Sequence, residues 1–152
     1  MRKLTMVVIC AVVLAAMGGV CFAGFANPDQ AIRYRKAVMT IIGQHFGHLA
    51  MVVKGQAPYD KNDVEHNAVV IQTMSDLAWQ AVMEPGSEKG DTTLKASAMQ
   101  EKDKFMAIAR QFEKATQKLV DTAKNGNLNA VKAQFGEVAK NCKACHSNYR
   151  NR

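Results

Sequence analysis

Five consecutive residues near the carboxyl end carry the most specific chemistry in the sequence. Cys142-Lys143-Ala144-Cys145-His146 has the form C-x-x-C-H, the attachment pattern of a c-type haem. Because side chains three and four residues apart share one face of a helix, both thiols and the imidazole would point to one side. That geometry suits one macrocycle, held by two thioether bonds and one imidazole–iron bond. The motif therefore predicts one covalent haem c on Cys142 and Cys145, with His146 as axial ligand.

Three other interpretations of the same residues stay open. A thioredoxin-like redox pair would need the cysteines near a helix amino terminus in a βαβ context. A structural zinc site needs four ligands, and the remaining histidines, His45, His48 and His66, lie far away in the sequence. A plain disulfide would form in an oxidising compartment unless the sulfurs are used otherwise.

The first 23 residues have the layout of a secretory signal peptide. Arg2 and Lys3 precede an apolar run over residues 6–20, and a small residue, Ala23, ends the segment. The run is shorter than the roughly 20 apolar residues that span a bilayer, so no stable membrane anchor is predicted. We predict cleavage after Ala23, with cleavage after Ala26 as the alternative. Residues 24–152 then form one exported, periplasmic domain, in agreement with haem attachment outside the bacterial cytoplasm.

Composition narrows the class of protein. The chain has 152 residues, 48% of them hydrophobic and 22% charged, which is typical of one globular domain. Aromatic residues make up only 7%, which disfavours an all-β fold, and without a Gly-rich phosphate loop a nucleotide-dependent enzyme is disfavoured. No enzymatic activity is predicted. The net charge of +7 serves either solubility or an unidentified acidic redox partner, and without an aromatic-interleaved basic patch nucleic-acid binding is not expected.

Apolar residues recur at steps of three and four along four segments, which predicts four helices. The first begins at Asn27-Pro28, with Gln30 completing a capping box, and ends before Gly55. The others follow apolar stripes over residues 64–82, 105–119 and 128–149, separated by a loop at 85–91 and a tight turn at 125–127. Four amphipathic helices with three connections predict an all-α fold, an antiparallel up-down-up-down four-helix bundle.

A C-x-x-C-H motif in the last helix of an exported four-helix chain resembles the cytochrome c′ family. The likeness runs from Phe25 to Arg150 and is carried by Ile32-Arg33-Tyr34-Arg35, by residues 55–60, by Trp79 and by residues 142–150. It implies that His146 is the proximal iron ligand. It also implies roles for residues around the haem: Arg35 at a propionate, Lys36 and Asp91 at the haem edge, Trp79 and Val82 in the distal pocket, and Arg150 over the proximal face.

Whether Met39 binds the iron distinguishes two functional hypotheses. By the same resemblance, it occupies the first-helix position that faces the sixth coordination site. The favoured expectation is a five-coordinate, high-spin iron whose apolar distal pocket admits NO and CO and holds O₂ poorly. The alternative is a low-spin electron-transfer cytochrome in which His146 and Met39 both bind iron, since a thioether ligand raises the reduction potential.

The resemblance further implies a homodimer, formed through the first two helices. Candidate surface contacts on those helices are Val38, Ile41, His45, His48, Val52, Val69 and Met74.

Overall fold

A computed structural model describes residues 24–151. The predicted signal peptide, residues 1–23, lies outside the described residues, as does Arg152. The described chain contains six helices: α1 (Pro28–Val53), α2 (Lys61–Met74), α3 (Leu77–Val82), α4 (Ser97–Gln100), α5 (Lys102–Lys124) and α6 (Leu128–Tyr149). Within it, the only β-type pairing is a single antiparallel bridge between Leu94 and Arg150. The all-α prediction is confirmed.

Polar side chains fix the start of α1 as the sequence predicts. Asn27 Oδ1 accepts a hydrogen bond from the backbone N–H of Gln30 at 2.9 Å, and Pro28 occupies the first turn. Gln30 Oε1 accepts in return from the N–H of Ala26 at 2.7 Å, one residue before the position that a capping box uses. The helix ends where Gly55 adopts a positive φ of 72°, a conformation that glycine reaches without strain.

The predicted second helix over residues 64–82 is wrong, because the chain breaks it into α2 and α3. Ser75 Oγ donates to the carbonyl of Gln72 at 2.7 Å, and the Ser75 N–H donates to the same carbonyl at 3.0 Å. A serine side chain bound to nearby backbone in this way competes with helix continuation. The break lets α3 carry Trp79 and Val82 toward α1.

The four long helical segments surround one core. Helix α1 packs on α2, α2 on α5, α5 on α6, and α6 on α1, while α3 packs on α1. This ring of sequential neighbours is that of an up-down four-helix bundle. The largest fully buried side chains are Phe105, Leu49, Ile71, Leu119, Val52 and Val64. Across the described residues, no helix is both long and apolar enough to cross a membrane.

Two of the residues predicted as surface contacts lie in the core instead. Val38 is 4% and Val52 is 2% exposed, because α1 is covered by α2, α3 and α6 and therefore buries a wide stripe. Ile41 and Val69 remain exposed, at 37% and 39%.

Candidate haem-binding site

A cavity of about 390 Å³ lies between the helices at one end of the bundle. Its volume is in the range of cofactor and ligand sites, roughly 300–1,000 Å³. Nine of the residues singled out from sequence line it: Arg35, Lys36, Met39, Trp79, Val82, Cys142, Cys145, His146 and Arg150. The tenth, Asp91, does not line it.

The last helix presents the C-x-x-C-H residues to this cavity. Asn127 caps α6 by accepting from the N–H of Ala130 at 3.0 Å, and the helix continues without interruption to Tyr149. Cys142, Cys145 and His146 all line the cavity, whereas Lys143 and Ala144 between them do not. The two cysteines are half-buried, and His146 keeps an exposed edge beside them. One helical face therefore supplies two sulfurs and one imidazole to the same cavity wall.

The protonation chemistry of these groups follows from their burial. Burial raises the pKa of the Cys145 thiol to about 11, and the charge of Cys142 adds to the effect. Burial also raises the pKa of Cys142. A redox-active C-x-x-C pair instead has a lowered thiol pKa, so the environment disfavours the thioredoxin-like interpretation. Burial first, and the charge of Arg150 second, lower the pKa of His146, which favours the neutral imidazole that binds metals.

Arg35 lines the cavity and bonds to the chain around it. Its side chain is buried, and one guanidinium nitrogen donates to the carbonyl of Ala81 at 3.0 Å and to Ser87 Oγ at 3.3 Å. The other donates to the carbonyl of Ser87 at 2.9 Å and to Thr92 Oγ1 at 2.7 Å. The guanidinium thus links α1 to α3 through Ala81, and to the connection between α3 and α4 through Ser87 and Thr92.

Lys36 and Asp91 form an ion pair next to this rim. Lys36 Nζ lies 2.7 Å from Asp91 Oδ2, and the Asp91 side chain is 98% exposed. Asp91 therefore approaches the site only through its contact with Lys36. An exposed pair of this kind stabilises a protein by little, about 0–1 kcal/mol.

The residues present fit a covalent haem. Two thiols and one imidazole share a wall, aromatic and aliphatic side chains form the other walls, and cationic Arg35, Lys36 and Arg150 also line the cavity. A sequence model of the family described as Cytochrome C' matches residues 30–150. The chain belongs to the cytochrome c′ family. As a member, it carries one covalently attached haem c.

The similarity of this chain to individual relatives extends over nearly the whole length of those relatives. The chain is 38% identical over 128 residues to the cytochrome c′ of Alcaligenes xylosoxydans, covering 84% of this chain and 98% of the relative. A solved structure of cytochrome c′ from Rubrivivax gelatinosus, 34% identical, superposes with a TM-score of 0.80 over 84% of this chain and 99% of that one. A nitric oxide complex of a leucine variant of cytochrome c prime from Alcaligenes xylosoxidans, 38% identical, superposes with a TM-score of 0.79, covering 84% and 98% of the two chains.

In this cytochrome c′, Trp79 forms a rigid part of the cavity wall. Its Nε1–H donates to Glu113 Oε1 at 2.7 Å. Its ring meets Phe105 and Phe112 edge to face, with centroids 5.8 Å and 6.0 Å apart, an arrangement that aromatic pairs prefer. The only hydrogen-bond donor of the indole is therefore turned to α5 and is not free for a ligand in the cavity.

Sequence reasoning missed several cavity residues of the cytochrome c′ chain. The aromatic residues Phe46, Phe105 and Phe112 line the cavity, but periodicity identified them only as parts of apolar stripes. A stripe of this kind looks the same whether it faces core or cofactor. Residues 92–94 also line the cavity and carried no sequence signal, because their place depends on long-range contacts.

Proposed function

We propose that the mature protein is a periplasmic, five-coordinate, high-spin haem protein that binds NO and CO at its distal face and exchanges electrons. One observation carries the proposal. Of the residues that line the cavity from α1 and α3, the three expected at the distal face are Met39, Trp79 and Val82, and the indole N–H of Trp79 is already donated to Glu113. These three side chains offer no free hydrogen-bond donor to a ligand.

Such a wall suits small neutral gases. NO and CO need no donor to be held, whereas O₂ bound to iron is polar and gains from one. Related solved structures support the choice, since they include a nitric oxide complex and a carbon monoxide-bound variant of the Alcaligenes xylosoxidans protein. The proposal assigns no catalytic reaction to the protein.

Each residue of the site has a part in holding the cofactor. Cys142 and Cys145 supply the thioether sulfurs, and His146 supplies a neutral imidazole to iron. Arg150 lies close enough to lower the pKa of His146, in agreement with a place over the proximal face. Arg35 and Lys36 stand where propionates would lie, and Asp91 pairs with Lys36 outside the cavity. The bound haem supplies the Fe(II)/Fe(III) couple and the site for the gas.

The second candidate is a six-coordinate, low-spin electron carrier. It is favoured by the position of Met39, a half-buried thioether that lines the same cavity as His146 from the facing helix. Thioether ligation would close the gas site and raise the reduction potential.

Visible absorption of the purified holoprotein separates the candidates. We expect high-spin ferric and ferrous bands and a ready spectral change when CO is added to the ferrous form. Sharp low-spin bands, a methionine–iron charge-transfer feature and no response to CO would establish the second candidate. Absence of a Soret band would contradict both.

Mass spectrometry of the periplasmic fraction should show a chain beginning at Gly24, or at Asn27 if the alternative cleavage site is used.

We also propose a homodimer formed through α1 and α2. Ile41 and Val69 are exposed apolar side chains, one on each helix. Polar contacts hold the two helices together beside them: His45 Nδ1 lies 2.8 Å from Asn67 Oδ1, and His48 Nε2 lies 2.6 Å from Asp63 Oδ2.

The dimer is tested by placing a charge on the proposed contact. Sedimentation of the parent should give a dimer, and I41E should shift it toward the monomer because the new carboxylate would be buried against a second copy. Q117E, which adds the same charge on an exposed residue of α5, is the control and should leave the dimer intact. A parent that sediments as a monomer, or an unaffected I41E dimer, would contradict this interface.

A further inference from the structure

Residues 92–95 cross the rim of the haem cavity between α3 and α4, and we call them the strap. Thr92, Thr93 and Leu94 line the cavity. On one side, Thr92 Oγ1 accepts from the Arg35 guanidinium at 2.7 Å, and it also accepts from the N–H of Leu94 at 3.1 Å. The strap is therefore fixed to α1 by a buried cation.

On its other side, the strap is bonded to the carboxyl end of α6. The Lys95 N–H donates to the carbonyl of Tyr149 at 2.9 Å, and the Asn151 N–H donates to the carbonyl of Thr93 at 2.8 Å. These bonds flank the antiparallel bridge between Leu94 and Arg150. The strap thus makes a short backbone ladder with the residues that follow His146.

The side chain of Lys95 adds charged hydrogen bonds to the same helix end. Its Nζ donates to the carbonyl of Ser147 at 3.2 Å and to that of Asn148 at 3.1 Å. The last carbonyls of a helix have no partner within the helix, and a cation there also meets the negative end of the helix dipole. Together with its backbone N–H, Lys95 therefore satisfies three consecutive carbonyls, those of residues 147–149, directly after His146.

We infer that Lys95 is a positioning residue for His146, holding the last turn of α6 so that the imidazole keeps a fixed place relative to α1. The inference rests on the proposed role of His146 as iron ligand. A continuous series of contacts links α6 to α1. Lys95 is bonded to the carboxyl end of α6, and Thr92, in the same strap, accepts from Arg35 on α1. A shift of the strap would move the imidazole against the opposite wall of the cavity.

The test compares three variants of the holoprotein. K95M keeps the apolar stem but removes the ammonium, K95R keeps charge and donors, and K89M removes a lysine from the same connection. Lys89 is exposed, and within residues 24–151 its side chain makes no hydrogen bond, so K89M is the matched control.

Two measurements are made on each variant. Hydrogen exchange at the amides of Arg150 and Asn151 should accelerate about tenfold in K95M, because charge-assisted bonds at the helix end are lost. The paramagnetically shifted NMR signals of the His146 ring in the ferric protein should move in K95M. Both quantities should return toward the parent values in K95R and remain unchanged in K89M.

The outcomes separate this inference from the function on which it rests. A parent without covalent haem or without shifted His146 signals would contradict the proposed function itself. If the parent has both and K95M changes neither quantity, Lys95 does not position His146. Faster exchange with unmoved His146 signals would also overturn the inference, because Lys95 would then stabilise the helix end without acting on the ligand.

Discussion

Replacing Met39 by alanine gives a decisive test of the cavity chemistry. Complete burial of a methionine side chain makes its truncation cost about 2–5 kcal/mol. Met39 packs against the core on one side and faces the cavity on the other, so bound haem would cover it and we expect a loss in that range, about 2–5 kcal/mol. If Met39 only limits access to a five-coordinate iron, M39A should keep the high-spin spectrum and speed CO association with the ferrous protein.

The assay is flash photolysis of the CO complex, together with guanidinium denaturation of the ferric holoprotein. M51A is the control, since Met51 lies on the same helix and is 44% exposed; it should change neither rate nor stability appreciably. If Met39 binds iron, M39A should instead convert a low-spin parent to high spin, lower its reduction potential and create CO binding. A high-spin parent whose CO rate is unchanged in M39A would refute the view that Met39 controls access.

Three further variants test the attachment of haem and the cavity wall. C142A/C145A should lose all covalent haem, so that acid–acetone extracts any remaining colour, and should be largely unfolded because the cofactor fills the space between helices; a well-folded, colourless protein would show that the core does not depend on it. W79F keeps an aromatic ring but loses part of the indole packing together with the bond to Glu113, and it should lower the free energy of unfolding by about 1–3 kcal/mol. In E113Q, which keeps a side-chain acceptor, the loss measured by the same guanidinium denaturation should be smaller, and equal losses in the two variants would contradict the proposed importance of this bond.

The parts of the fold that depend on local sequence could be predicted. The N-cap bond of Asn27 and the bond that Gln30 Oε1 accepts from the N–H of Ala26 involve neighbours within four residues, and the C-x-x-C-H spacing places Cys142, Cys145 and His146 on one helical face by geometry alone. The four apolar stripes likewise gave the correct bundle, because helical periodicity depends only on which face is buried.

The parts that depend on distant contacts could not be predicted. The guanidinium of Arg35 bonds to Ala81, Ser87 and Thr92, partners about fifty residues away whose place is set by an irregular connection. Val38 looked like a surface residue because periodicity does not say how many neighbours a helix has. The break at Ser75 is local, but the apolar stripe continues across it and hides it.

The helices that pack around the C-x-x-C-H motif differ in how far they lie from it along the chain. Helix α6 packs most extensively on α5, its neighbour in sequence, whereas the part of α1 that lines the cavity, residues 35–46, lies about one hundred residues before the C-x-x-C-H motif. Contacts between distant segments carry a larger loop-closure entropy and tend to slow folding. We therefore expect the α5–α6 hairpin to form early and to present both cysteines while the α1 side is still open, so that docking of the first helix synthesised is the step that finally shields the cofactor from water.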